Sequence, residues 1–329
     1  MRRGSVLAIL FLAGSLSVAV MGFQGPPAQG GGARAGGPGA AGGAGGPGAG
    51  QAGRGGAPQA LQTIKVRDNL YMIGNAGGNT AVFIMTNGVT LVDTKNPNTG
   101  QAILDQVRMV TPKPITMVIN THTHADHTGS NEFFSDNVTF VAQENTKANM
   151  EKMTNFAGDK AKFLPSRTYK DTLTIGSGAD QIVLYYFGRA HTNGDSFVVF
   201  PAIRAMHTGD AFATKGFPNV DIANGGSVVD YGKTLASAAS TIKNVDTIIN
   251  GHIPAGPTQF SDLQVYADFN KDFIAYVQDS IKSNKTADQA AAEYRLPEKY
   301  TALGYTLPPA GGRGGPAGNI RSAYTELGK

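Results

Sequence analysis

Residues 119–131 read INTHTHADHTGSN. Three of the chain's six histidines and one aspartate crowd into this stretch, at His122, His124, Asp126 and His127. His122 and His124 are two apart, so on an extended segment both point to one face. Asp126 and His127 then turn the chain toward a second position. A helical zinc site would set its histidines four apart, as in H-E-x-x-H, and that pattern is absent. Imidazole and carboxylate together suit zinc, and iron or manganese less decisively. The plain alternative is a polar loop before a helix, with Asp126 or Thr128 as its N-cap. So dense a group of potential ligands weighs against it.

Working outward, the stretch starts at the end of ITMVIN, which reads as a buried strand. Before it, LQTIKV, LYMIG, TAVFIMT and VTLVDT are short β-rich runs broken by Asn and Gly, an antiparallel meander. Residues 99–110 carry apolar residues at helical spacing and stop before Pro112. After it come the strand VTFVA and a polar helical segment. The second half repeats the order. LTIG, QIVLYYF, SFVVF and AIRAMHTGD read as strands, VVDYGKTLASAASTI as a helix, VDTIIN as a strand and residues 262–281 as a long helix. Strands then helix, twice over, describe an α/β (α+β) chain of two halves packed face to face, a four-layered αβ/βα sandwich.

The remaining polar signals fall at predicted strand ends. His191 lies in GRAHTNGD, Asp210 in MHTGDAF and His252 in INGHIP. A sandwich of this kind collects its functional loops at such ends. His207, three residues before Asp210, reads as a packed histidine rather than a ligand. Asn193, Asn224 and the loop GNAGGN (74–79) could line a site, although each alone is an ordinary turn residue.

H-x-H-x-D-H at 122–127, the later His191, Gly-Asp at 209–210, Gly-His at 251–252 and LVDT at 91–94 together resemble the metallo-β-lactamase superfamily, from about Leu61 to Pro254. The resemblance implies that His122, His124 and His191 hold a first metal, and Asp126, His127 and His252 a second, with Asp210 bridging. It makes Asp93 the acceptor behind a ligand imidazole. It implies two Zn2+, with Fe or Mn less favoured. The Cys-containing β-lactamases of the family have Cys where Asp210 stands and lack the histidine at 127. This chain instead matches glyoxalase II-like and lactonase-like members there, so the fold resemblance alone does not imply lactam cleavage.

Composition bounds the rest. The chain has 329 residues and no Cys, which excludes disulfides, thiolate nucleophiles and Cys-ligated zinc. Residues 1–60 hold Arg2, Arg3, Arg34 and Arg54 and no acid, leaving 24 basic against 24 acidic residues in the remainder. The folded part is therefore formally neutral, which disfavours a nucleic-acid partner. Residues 1–22, a basic start and an apolar run, read as a signal peptide. The run is shorter than the roughly 20 residues of a usual span, so no stable membrane anchor is expected after cleavage. Residues 23–60, rich in Gly, Ala and Pro, read as a disordered linker. The resemblance makes residues 61–329 the metallo-β-lactamase-fold domain, with a helical and Gly-rich extension expected from about 260. The patch PPAGGRGGPAGN (308–319) lacks the context of a phosphate cradle and reads as a loop.

The resulting expectation is a periplasmic or secreted zinc hydrolase acting on a small molecule. Water activated by the metals would attack an acyl carbon of a small cyclic amide or ester, β-lactam or lactone. Asp126 would orient that water and pass a proton to the leaving group. The competing readings are a glyoxalase II-like thioesterase, an iron oxygenase on the same ligands and a metal-binding module without catalysis. A glutathione substrate fits an exported address poorly, and the module would need a lost ligand.

Overall fold

A computed structural model of the chain describes residues 60–134, 137–308 and 315–329. The leader at 1–22, the linker at 23–60 except its last residue, and residues 309–314 of the Gly-rich patch lie outside the described residues.

Strands β1 (Gln62–Arg67), β2 (Leu70–Gly74), β3 (Thr80–Met85) and β4 (Gly88–Val92) pair antiparallel as the expected meander. Helix α1 (Gly100–Val110) then crosses over to β5 (Ile115–Ile119), parallel to β4. The one-turn helix α2 (Ala125–Thr128), β6 (Thr139–Gln143), α3 (Glu144–Met150) and β7 (Arg167–Tyr169) follow, with β6 and β7 extending the parallel half. The second sheet runs through β8 (Thr172–Ile175), β9 (Ile182–Tyr185), β10 (Phe197–Phe200) and β11 (Ala205–His207), all antiparallel. Helix α4 (Val228–Thr241) leads to β12 (Thr247–Ile249), parallel to β11, and β13 (Thr258–Gln259) closes the edge. Helices α5 (Phe260–Lys282), α6 (Ala287–Glu293), α7 (Glu298–Thr301) and α8 (Pro316–Glu326) complete the described chain.

The layering follows from the period of two along the strands. In β3, Ala81 and Phe83 face the second sheet, while Val82 packs with Ile103 and Val107 of α1. In β10, Val198 and Phe200 point inward, while Phe197 and Val199 join Leu235 of α4 and Phe269 of α5. Phe83 and Phe200 meet across the seam with ring centroids 4.7 Å apart. Fully burying one such ring contributes about 1.5–3 kcal/mol. Helix, sheet, sheet, helix is thus the order of layers, as the sequence led us to expect.

Some local readings need correction. AIRAMHTGD is not one strand. Pro201–Ile203 form a 3-10 turn, Arg204 is left-handed at φ 56°, and only Ala205–His207 extend. Proline sets the turn and withholds a ladder amide, so the strand starts late. ITMVIN is buried only from Val118 onward. Residues 316–319 of the supposed loop are the first turn of α8, entered through Pro316, a residue suited to the first helical position.

Parallel strands bring their carboxyl ends together, and loops at such ends form crevices. Val92 and Ile119 are register partners in the first sheet, as are His207 and Ile249 in the second. Asp93, the histidine-rich stretch, Asp210 and His252 all follow directly.

Candidate metal centre

Beyond β5 the chain is not the extended run that the spacing of His122 and His124 suggested. It bends over residues 121–123, is extended at His124 (φ −64°, ψ 148°), then closes one helical turn as the amides of His127 and Thr128 donate to His124 O. The cap position is His124, not Asp126 or Thr128. The bend and the turn together bring the His127 ring beside His122, with centroids 4.2 Å apart against 4.9 Å between His122 and His124.

All seven expected ligands meet here. One ligand atom from each of His122, His124 and His191 lies within 4.8 Å of the others, and so it is for His122, His127 and Asp210, and for Asp126, His127 and His252. Asp210 stands between the groups. Its Oδ1 is 3.2 Å from His127 Nε2, and its Oδ2 is 3.3 Å from His252 Nε2 and 3.6 Å from His191 Nε2. Asp126 Oδ2 is 3.3 Å from His252 Nε2.

The outward nitrogens of four rings are committed to acceptors. His127 Nδ1 donates to Asp93 Oδ2 at 2.7 Å, and His124 Nε2 to Asp221 Oδ2 at 2.7 Å. His191 Nδ1 donates to the carbonyl of Asn219. His122 Nδ1 donates to Thr121 Oγ1 at 3.1 Å, which itself donates to Asp93 Oδ2 at 2.7 Å. In the neutral rings these bonds leave the inward nitrogens as bare lone pairs. His122 Nε2 and Asp210 Oδ1 are buried without any hydrogen bond of acceptable geometry. Lone pairs converging on a buried point, with a carboxylate oxygen among them, fit a cation.

Electrostatics divide the centre in two. Burial pushes His122 well below the usual imidazole range, helped by His127 and His191. Burial, then His124, takes His191 down to about 4. These two rings reject protons and keep their lone pairs. On the other side burial opposes a charge on His127, but Asp210, Asp93 and Asp126 outweigh it and raise its pKa well above the ordinary value. Asp210 raises His252 against its burial. Burial of Asp210 is outweighed by His252 and His127, which hold its carboxyl well below the usual range. That half of the centre demands positive charge.

Two groups escaped the sequence reading: Asp221 and the Asn219 carbonyl. Both lie in the segment between the 3-10 turn Gly209–Phe212 and α4. The hydrogen bond from His124, ahead of the opposing effect of burial, lowers the Asp221 carboxyl below its usual range. The available signal was the D-x-x-N-G turn at 221–225, where Asp221 accepts from Asn224 N. Nothing in the sequence says which histidine that turn faces. Asn224 steadies Asp221 through Nδ2 at 2.6 Å, and Asn193 bonds Asn149 at 2.8 Å. The 74–79 loop lies flat on the centre, so close that a Cβ on Gly78 would stand 2.2 Å from His127 Cε1. Its Asn79 holds the His252 segment by donating to the carbonyls of Asn250 and Ile253. His207 is buried between Asn79 O and Gly209 N, both at 3.0 Å, and belongs to none of the ligand groups.

Comparison with known proteins places the chain in a family. The sequence model of the metallo-beta-lactamase superfamily matches residues 74–253, and the chain belongs to that superfamily. The type 2 metallo-beta-lactamase of Elizabethkingia meningoseptica is 24% identical over 199 residues, 57% of this chain and 77% of that protein. The stereoselective inverting sec-alkylsulfatase of a Pseudomonas species superposes with a TM-score of 0.67 at 17% identity, over 81% of this chain and 50% of that one. A metallo-beta-lactamase from Pontibacter korlensis gives a TM-score of 0.55 at 17% identity, over 64% of this chain and 99% of that one. The chain thus spans half the length of the alkylsulfatase. These structural likenesses show a common fold.

Proposed function

We propose that the chain is an exported zinc hydrolase that opens a small cyclic amide or ester of the β-lactam or lactone type. The observation that carries this reading is Asp210, one carboxylate within reach of His127, His191 and His252. His122, His124 and His191 would hold one zinc, and Asp126, His127 and His252 the other, with Asp210 shared. When bound, the pair supplies an activated water and neutralises developing negative charge. The chain's own groups do the rest. Asp93 and Asp221 keep the ligand rings in one tautomer. Asp126, a quarter exposed at its side chain, can accept a proton at Oδ2 and deliver it to the departing nitrogen or oxygen. The 74–79 loop covers one flank of the centre and limits water there. We take residues 1–22 as a removable leader, 23–60 as a tether, and the partner as a small molecule rather than nucleic acid or membrane. Export places the chain where β-lactams act.

The test is metal content together with a hydrolysis screen over lactam, lactone, thioester, phosphodiester and secondary sulfate ester substrates. About two zinc ions per chain and lactam or lactone turnover that chelator abolishes are expected. Turnover of thioester or sulfate ester alone would replace the substrate class. Activity surviving complete metal removal would overturn the reading.

A further inference from the structure

The rings of His124 and His191 are aimed by a segment that itself has little regular structure, residues 218–227. Part of what fixes that segment comes from outside the part of the chain matched to the superfamily. Helix α8 grips it at both ends. Near the start of α8, buried Asn319 donates from Nδ2 to Pro218 O at 3.0 Å. In the last turn, Glu326 Oε1 accepts from Val228 N at 2.9 Å and Oε2 from Ser227 Oγ at 2.5 Å. That carboxylate sits at the start of α4, where unsatisfied amides and the helix dipole favour negative charge. Next to the segment, Phe217 is wedged against Phe269, Phe273 and Tyr294, with ring centroids 5.0, 5.1 and 5.6 Å away.

Between the two grips lie the Asn219 carbonyl that accepts from His191 and the Asp221 carboxylate that accepts from His124. Asp221 N also donates to His191 O at 2.8 Å, and Ser227 N to Ala190 O at 3.0 Å. A shift of this segment therefore moves two of the three rings of one ligand group and none of the other.

We propose that α8 is a positioning element for the three-histidine site, acting through Asn319 and Glu326 on the 218–227 segment. The inference rests on the metal reading above. Ile320, Ala323 and Tyr324 keep α8 in the core by their own burial, so trimming Asn319 or Glu326 leaves the helix seated.

The test measures zinc affinity by chelator competition, not turnover, in two backgrounds of the full chain. His252→Ala weakens the second site and leaves the three histidines. His191→Ala does the reverse. Asn319→Ala with Glu326→Ala should weaken zinc binding about tenfold or more in the first background, the range typical of losing support behind a metal ligand. It should change nothing in the second. Glu326→Gln, which keeps one acceptor oxygen, should fall between. Arg321→Ala, which removes the exposed pair with Asp288, should leave both sites unchanged. Unchanged affinity in the first background, or equal loss in both, overturns the proposal. Should the double substitution unfold the chain, the single Asn319→Ala and Glu326→Gln variants decide by the same comparison. A wild-type chain that takes up no metal overturns instead the reading on which the proposal stands.

Discussion

His191 Nε2 and His124 Nδ1 face each other at 2.8 Å, and the far nitrogen of each ring already donates to an oxygen. Two neutral imidazoles so arranged oppose lone pair to lone pair. Only a proton or a metal between them makes the contact favourable.

Asp221 should accordingly matter as much as some ligands. Asp221→Ala removes the acceptor that fixes the His124 tautomer. Zinc affinity of the three-histidine site should drop on the order of 10–100-fold, read by chelator competition. Asp221→Asn should lose less, because its amide oxygen can still accept from His124 while its amide nitrogen is set against the Asn224 N–H that Oδ1 now accepts.

Asp210→Ala should release the second metal more readily than the first, since His122, His124 and His191 remain. Turnover should fall by on the order of 10²-fold or more, the scale of losing charge stabilisation at the reacting centre. Metal stoichiometry alongside kinetics checks both parts.

His207→Ala should behave differently. It strips partners from Asn79 O and Gly209 N, both buried. A stability loss of about 1–3 kcal/mol is expected, with both metals retained, measured by denaturant unfolding and metal analysis. Loss of one metal in a folded His207→Ala protein would mean that the histidine had been placed in the wrong role.

Gly78→Ala is a steric probe of the 74–79 loop. The added carbon meets the His127 ring at under van der Waals distance, so either ring or loop must move. Second-site metal should be lost while the three-histidine site persists.

Asp195 gives a pH signature. Burial pushes its carboxyl from 3.8 up to about 7, against two hydrogen bonds from Thr192. Between these values the folded chain holds a proton that the unfolded chain has released. Stability should therefore decline as pH rises from about 4 to about 7. Asp195→Asn should flatten that part of the profile, followed by thermal unfolding across pH.

Much of this was legible in the sequence because short-range patterns carry it. Period-two strands such as TAVFIM and FVVF state which residues face which layer, and H-x-H-x-D-H packs four candidate ligands into six positions, although the bend over residues 121–123 was not legible in it. The Asp221–His124 bond spans 97 residues and depends on how the 218–227 segment lies, which no local pattern encodes. Strand β7 is three residues long and β13 two, too short for alternation to register. The start of α8 was hidden by the glycines before and within it, which mark turns far more often than helices.

The seam between the sheets has one more consequence. His122, His124 and His127 come from one sheet's loops, while His191, Asp210 and His252 come from the other's. A chain without cysteine has no covalent rivet across that seam. Zinc held there would fasten the two halves to each other as a cross-link does, one ion tying 122 and 124 to 191 and the other tying 126 and 127 to 252. Such a rivet adds to the folded state in proportion to the logarithm of free metal over its dissociation constant. The stripped protein should accordingly unfold at lower denaturant than the loaded one.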